Sequence, residues 1–142
     1  MSSIWSVKPT LAQIHERNNG TMVSHLGIEF TEVGDDFLSA KMPVDERTKQ
    51  PAGILHGGAN VVLSETIGSV AANWIVFPQG KMAVGLEVNA NHLRPVSKGY
   101  VHGVAKAVHL GKSTQVWEIR ISDDEGKLSC ISRLTMAIVA KP

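Results

Sequence analysis

The 142-residue chain is poor in three things: it has one cysteine, Cys130, only three tryptophans, three phenylalanines and one tyrosine, and a formal net charge of just +1. A single cysteine excludes an internal disulfide and a cysteine-based zinc site. The near-balance of 14 basic and 13 acidic residues lacks the one-sided charge that suits nucleic acid or an anionic bilayer, so neither partner is expected. The N-terminal MSSIWSVKPT lacks the basic stretch and apolar run of a signal peptide, and a cytoplasmic location is expected. The longest weakly charged region surrounds Glu65 and includes Gln50, Pro51, His56, several glycines and Asn73. It is read as short of the ~20 apolar residues that span a membrane. P-loop, Rossmann and His-Glu-x-x-His patterns are missing as well.

What is present is enough apolar residue to build a core. Hydrophobic residues make up 43% and charged residues 19%, which excludes a disordered or fibrous chain. The length suits one domain, 1–142, with residues 1–20 as an N-terminal extension carrying a helix. Residues 10–18, TLAQIHERN, have a capping Thr10 and place Leu11, Ile14 and His15 on one face of a short helix. Asn18-Asn19-Gly20 stops it; Asn19-Gly20-Thr21 also matches a glycosylation sequon but is read as a turn. TMVSHLG adds one helical turn, and alternation on both sides of Gly34-Asp35-Asp36 predicts a hairpin with strands near 27–33 and 37–44.

From Gln50 to Gln79, Glu65 is the sole charged residue. The stretch from Gly57 to about Phe77 predicts a helix of about 20 residues, buried on most sides and ended by Pro78-Gln79-Gly80. Four long strand-like runs follow: KMAVGLEVNANHLRPV, YVHGVAKAVHLGK, TQVWEIRISDDEG and LSCISRLTMAIVA. The order helix, two strands, long helix, four strands predicts an α+β fold in which a curled antiparallel sheet wraps the long helix.

Two features carry chemistry. A lone carboxylate in an apolar helix costs free energy unless it is partnered or faces a cavity, so Glu65 is a candidate base or nucleophile; a narrow exposed stripe through Ser64, Thr66 and Ser69 is the plain alternative. Leu55-His56-Gly57-Gly58 precedes the same helix. Unmet N–H groups at a helix start, with no Cβ in the way, suit an oxyanion hole; a simple turn is the plain alternative there. Glu65 lies eight residues beyond Gly57, or about 12 Å along a helix. One carbonyl cannot be held by the first and attacked with help from the second in a single chain. If both act, two antiparallel helices across a twofold axis must supply them, which predicts a homodimer with composite sites. Ser69 follows Glu65 on the same face. His102 and His109, seven apart, should point to opposite faces of one strand, against joint metal binding. His92 ends a polar strand cluster, His15 and His25 look peripheral, and Lys112 and Arg94 at strand ends could meet a phosphate. Trp5, Trp74 and Trp117 are read as core or interface residues, and Cys130 has no base beside it.

The runs GILHGGANVVLSETIGSVAANW, VGLEVNANHLRPV and HLGKSTQVWEIRISDDEGKLSCISRLTMAIV closely resemble hotdog-fold acyl-CoA thioesterases. The nearest resemblance is to the PaaI-type group, which includes 4-hydroxybenzoyl-CoA, 1,4-dihydroxy-2-naphthoyl-CoA and enterobactin proofreading thioesterases. It extends from about Gly20 to Val139. It implies hydrolysis of an aryl-CoA or medium-chain acyl-CoA, or a carrier-protein thioester, without metal or cofactor, by a homodimer that often pairs into a tetramer. It also implies Glu65 as the catalytic carboxylate, Gly57 as the carbonyl donor, and His56 and Gln50 as groups that orient the thioester and water. Ser69 and His92 would line the acyl end across the dimer. Gly85, Leu86, Glu87 and Val88 would run along the substrate, and His109, Leu110, Gly111, Lys112, Ser113 and Thr114 would hold the nucleotide and pantetheine. A non-catalytic acyl-CoA binder on the same fold is the alternative.

Overall fold

The computed structural model describes residues 2–142. Helix α1 spans Leu11–Asn18 and opens with a capping box: Gln13 N–H donates to the Thr10 hydroxyl while Thr10 N–H donates to the Gln13 side chain. Its buried residue is Ile14. His15, expected to be peripheral, is a tie: its Nε2 accepts the N–H of Phe30 at 2.9 Å. Helix α2, Met22–His25, is capped by Thr21, and Gly20 turns the chain between the two helices at φ 75°.

The hairpin forms as expected, with β1 at Glu29–Val33 and β2 at Phe37–Pro43. After helix α3, Gly57–Val76, come β3 at Lys81–His92, β4 at Tyr100–Leu110, β5 at Thr114–Ser122 and β6 at Leu128–Ala140. All pairings are antiparallel, in the order β1-β2-β4-β5-β6-β3. The strand that leaves α3 therefore lies at the outer edge, beside the last strand of the chain.

Two bulges matter. One lies between Gly85 and Glu87 of β3. The other, between Ala107 and His109 of β4, corrects the expectation for the histidines. Ala107 pairs with the fully buried Trp117, whereas His109 pairs with its neighbour Val116, so the extra residue resets the alternation. His102 and His109 share the outer face, far apart along the strand. His102 is occupied by Asp124, at 2.7 Å, and the described residues hold no cluster of three or more His, Cys, Asp or Glu side chains suited to a metal.

The sheet curls around α3. Leu63, Ile67, Ala71 and Ala72 are fully buried against it, while Val61, Val62, Glu65, Ser69, Val70 and Trp74 form a half-exposed stripe on the other side. By length and mean hydropathy, 1.3, the segment Gly57–Gln79 is long and apolar enough to cross a membrane, contrary to the sequence reading. Here the strands cover one side of the helix only, so the expectation of a helix buried on most sides is not met: the stripe through Val61, Val70 and Trp74 stays half-exposed. Close approach depends on absent side chains: a Cβ on Gly103 would lie 2.7 Å from Ile67 Cδ1, and one on Gly68 2.5 Å from Leu134 Cδ2. Cys130 is buried in the same core, where desolvation pushes its thiol pKa up and leaves it a poor nucleophile.

Ile67→Ala should cost about 2–5 kcal/mol by leaving a cavity, and Gly103→Val about 1–3 kcal/mol by overpacking the same contact. Urea titration should show both as lowered midpoints with unchanged slope.

Candidate active site

The start of α3 is held by a stitched loop. Thr48 is buried; its hydroxyl donates to Pro43 O at 2.7 Å, and its own carbonyl accepts His56 N–H at 2.8 Å. Leu55 N–H donates to Val96 O, and Gln50 N–H to Ile54 O, closing a tight turn in which Gly53 has φ 83°. Gln50 Oε1 accepts Ala52 N–H at 2.6 Å. This arrangement brings Gln50 back beside the first turn of the helix.

His56 is the helix N-cap, and its Nδ1 accepts Gly58 N–H at 2.8 Å. Ala59 and Asn60 N–H groups turn back to His56 O. Gly57 N–H donates to nothing among the described residues. A helix start normally leaves several N–H groups unmet; here the cap takes one, and Gly57 keeps an open donor at the positive end of a 20-residue helix.

That donor borders a cavity of about 350 Å³ lined by Gln50, Gly57, Asn60, His92, Arg94 and Val96, among others. His92, the last residue of β3, swings its ring over the helix start: its Nε2 lies 3.0 Å from the point a Gly57 Cβ would occupy. Any side chain at Gly57 would displace His92. Asn60 was not picked out from the sequence. It is buried in the first turn of α3 and touches His92 Nδ1 through its Nδ2 at 3.2 Å.

Glu65 lies elsewhere. It is half-buried on the open stripe of α3, and it lines neither this cavity nor the next. Its carboxylate rests against Gly85: a Cβ there would run into Oε2 of Glu65. Gly85 thus gives the carboxylate room at the β3 bulge. Ser69, one turn on, lines a second cavity of about 380 Å³ with Val70, Asn73, Trp74, Phe77 and Met82. Asn73 secures that end of α3 to β3, with its Oδ1 accepting Ala83 N–H at 2.8 Å and its Nδ2 donating to Ala83 O at 3.1 Å. A single chain therefore gathers Gln50, His56, Gly57 and His92 at one end of α3. Glu65 and Gly85 sit midway, and Ser69 lies farther along. Leu86 and Glu87 are exposed and Val88 is half-buried. The β4–β5 turn is separate: Gly111 N–H donates to Thr114 O, Ser113 O accepts Ile138 N–H, His109 packs over Gly111, and Lys112 is exposed. Leu110 is also exposed. Of the two cations picked out at strand ends, Arg94 borders the Gly57 cavity.

The profile of the thioesterase superfamily matches residues 52–130. A 1,4-dihydroxy-2-naphthoyl-CoA hydrolase of Escherichia coli is 54% identical over 136 residues, covering 96% of this chain and 99% of that one. A proofreading thioesterase of Cronobacter turicensis is 48% identical over 136 residues, covering 96% and 98%. Among solved structures, a variant thioesterase of Pseudomonas aeruginosa superposes with a TM-score of 0.94 at 51% identity, covering 96% of this chain and 99% of that one.

Gly85→Ala should move the Glu65 carboxylate while leaving the fold in place, because the added methyl lies at an exposed strand position. If Glu65 is the catalytic carboxylate that the resemblance implies, displacing it by about 1 Å can cost 10²-fold. Thioester turnover should fall by about that factor with an unchanged unfolding midpoint; wild-type turnover would show that Glu65 needs no such room.

Proposed function

The chain belongs to the thioesterase superfamily, and we propose that it hydrolyses acyl-CoA thioesters, aryl or medium-chain, to the free acid and CoA in composite sites of a homodimer. The observation that carries this reading is the open Gly57 N–H, left free while the His56 cap takes the next N–H, that of Gly58, and faced by the His92 ring. A thioester carbonyl oxygen accepted there gains charge as the tetrahedral intermediate forms, and the donor and helix dipole stabilise that charge more than they stabilise the ground state.

The carboxylate must come from elsewhere. Glu65 is about 12 Å further along the same rigid helix, so it serves a second site, and Glu65 of the partner subunit serves this one. The exposed edge supports the pairing. Strand β3 is unpaired along one side and exposes Val84 and Leu86 next to the half-buried stripe of α3; a bare, apolar edge of this length is a ready template for a second copy. Antiparallel α3 helices about a twofold axis near Val61 would set each Glu65 opposite the other chain's Gly57. There the carboxylate either attacks the carbonyl carbon, expelling CoA thiolate and leaving a mixed anhydride that water then hydrolyses to the free acid and the restored carboxylate, or takes the proton of a water that attacks the carbonyl carbon, after which the C–S bond breaks and CoA thiolate leaves and is protonated. Gln50 and His56 orient the thioester and water, Ser69 and His92 bound the acyl group, and Gly85 to Val88 flank it. The turn from His109 to Thr114, with its Lys112 cation, is assigned to the nucleotide and pantetheine. Two dimers assemble into a tetramer, for which the exposed Val108, Leu110 and Val139 offer apolar surface. The proposed compartment is the cytoplasm, and a carrier-protein thioester remains within the same chemistry.

Complementation tests the composite site. Glu65→Ala removes the carboxylate; Gly57→Val blocks the carbonyl and pushes His92 away. Each homodimer should be inactive. After subunit exchange, each mixed dimer holds one site with both defects and one with neither, so activity should return to about one quarter of wild type. No recovery after demonstrated exchange would refute the composite site. The same donors and carboxylate supply the chemistry without a metal, so hydrolysis of benzoyl-CoA should survive EDTA. Loss on chelation, restored by a divalent ion, would overturn that.

A further inference from the structure

We infer that Asn60 is a positioning residue that locks the His92 ring with its Nε2–H turned toward the Gly57 donor site. The inference rests on the proposed role of Gly57 and extends it to a residue outside the set above. Asn60 is 5% exposed, its Nδ2 lies 3.2 Å from His92 Nδ1, and its Oδ1 is buried without a partner among the described residues. A neutral imidazole has one donor and one acceptor nitrogen, and the partner of one fixes the role of the other. With Nδ2 donating, Nδ1 is the acceptor and Nε2 carries the proton. Turning the amide over would place Oδ1 on His92 and leave the NH2 buried where Oδ1 now sits; unmet donors are the rarer of the two in folded proteins, which favours the donating orientation.

An asparagine with an unmet oxygen is a poor choice for packing alone, since an apolar side chain of similar size avoids the desolvation cost. Its use here is explained by what it does to His92. The ring is at an exposed strand end with no side-chain hydrogen bond among the described residues besides this one, and its Nε2 is the edge that meets Gly57. The result parallels His56, whose Nδ1 is likewise committed as an acceptor by Gly58 N–H, leaving Nε2–H as its free edge. At the Gly57 site itself the ring that supplies such an edge is His92. If His92 presented a lone pair instead, it would repel the carbonyl oxygen held by Gly57.

Ring-nitrogen NMR on the 15N-labelled full chain, at alkaline pH where imidazoles are neutral, reads the tautomer directly. In the wild type, His92 Nε2 should show the protonated signal and Nδ1 the unprotonated one. Asn60→Asp, which can only accept while ionised, should reverse them. Asn60→Ala should keep or raise the unfolding midpoint and lower kcat/KM for an acyl-CoA by roughly tenfold, short of the 10²–10³-fold of losing an oxyanion donor outright. In a His92→Ala background the same change should cost nothing more, because Asn60 acts through that ring. A wild-type His92 protonated on Nδ1, an unchanged tautomer in Asn60→Asp, or an equal loss with and without His92 would overturn the inference. Were the wild type inactive on thioesters, the proposed function would fall, while the NMR result would still decide what Asn60 does to His92.

Discussion

Helix α3 is unbroken from Gly57 to Val76, and a helix rises about 1.5 Å per residue. That rigidity fixes Gly57 and Glu65 about 12 Å apart whatever the rest of the chain does. The open N–H and the lone carboxylate are each well placed for acyl chemistry, yet they cannot meet within one protomer. The other large features fit this constraint. The sheet covers one side of the helix and leaves bare the stripe that carries Glu65. Strand β3 carries the chain from the end of α3 to the sheet edge, where it offers both an unpaired backbone and the glycine beside the carboxylate. An arrangement that would be a liability in a monomer, an apolar edge next to a half-buried helix face, is what a second copy needs.

Glycine is used for closeness in three different settings. Gly68 and Gly103 let helix and sheet approach until Ile67 and Leu134 fill the gap. Gly57 admits the His92 ring over the helix start, and Gly85 admits the Glu65 carboxylate. The first setting concerns packing density, where an added methyl is felt as strain. The other two concern chemistry, because each omitted Cβ makes room for a polar group rather than for a methyl. Neither of those residues has a positive φ, so the selection acts through space and not through backbone conformation.

Much of this architecture is legible from local pattern. The length of α3, the hairpin about Gly34, the late strands and their antiparallel, wrapped arrangement follow from period and punctuation, since those report which face of an element is buried. The Gly57 to Glu65 spacing is also local, which is why residue numbers alone predict a dimer if both residues act. What was illegible depends on contacts between distant residues. His15 reaches Phe30 across 15 positions, and Asn60 reaches His92 across 32. The bulge after Ala107 inverted the facing expected for His109, because one extra residue in a strand leaves no compositional trace. The membrane-like hydropathy of α3 shows the converse: composition alone cannot distinguish a helix wrapped by strands from one wrapped by lipid.

The polar groups around Gly57 have a common logic. His56 commits its Nδ1 to Gly58 N–H, Asn60 occupies the Nδ1 of His92, and Gln50 Oε1 is turned back to Ala52 N–H. In each case the acceptor atom is spent on the protein itself, so what remains to face a ligand is a donor. Arg94 adds a cation to the same cavity. A cavity edged in this way, with no carboxylate of its own, is matched to an oxygen that gains negative charge, and it would hold a free cationic or donor-rich ligand poorly. The carboxylate is kept half a helix away, on the face that a partner would cover. In the proposed site, separating donors from base by a rigid rod would keep the two from neutralising each other within one chain and make their meeting conditional on assembly.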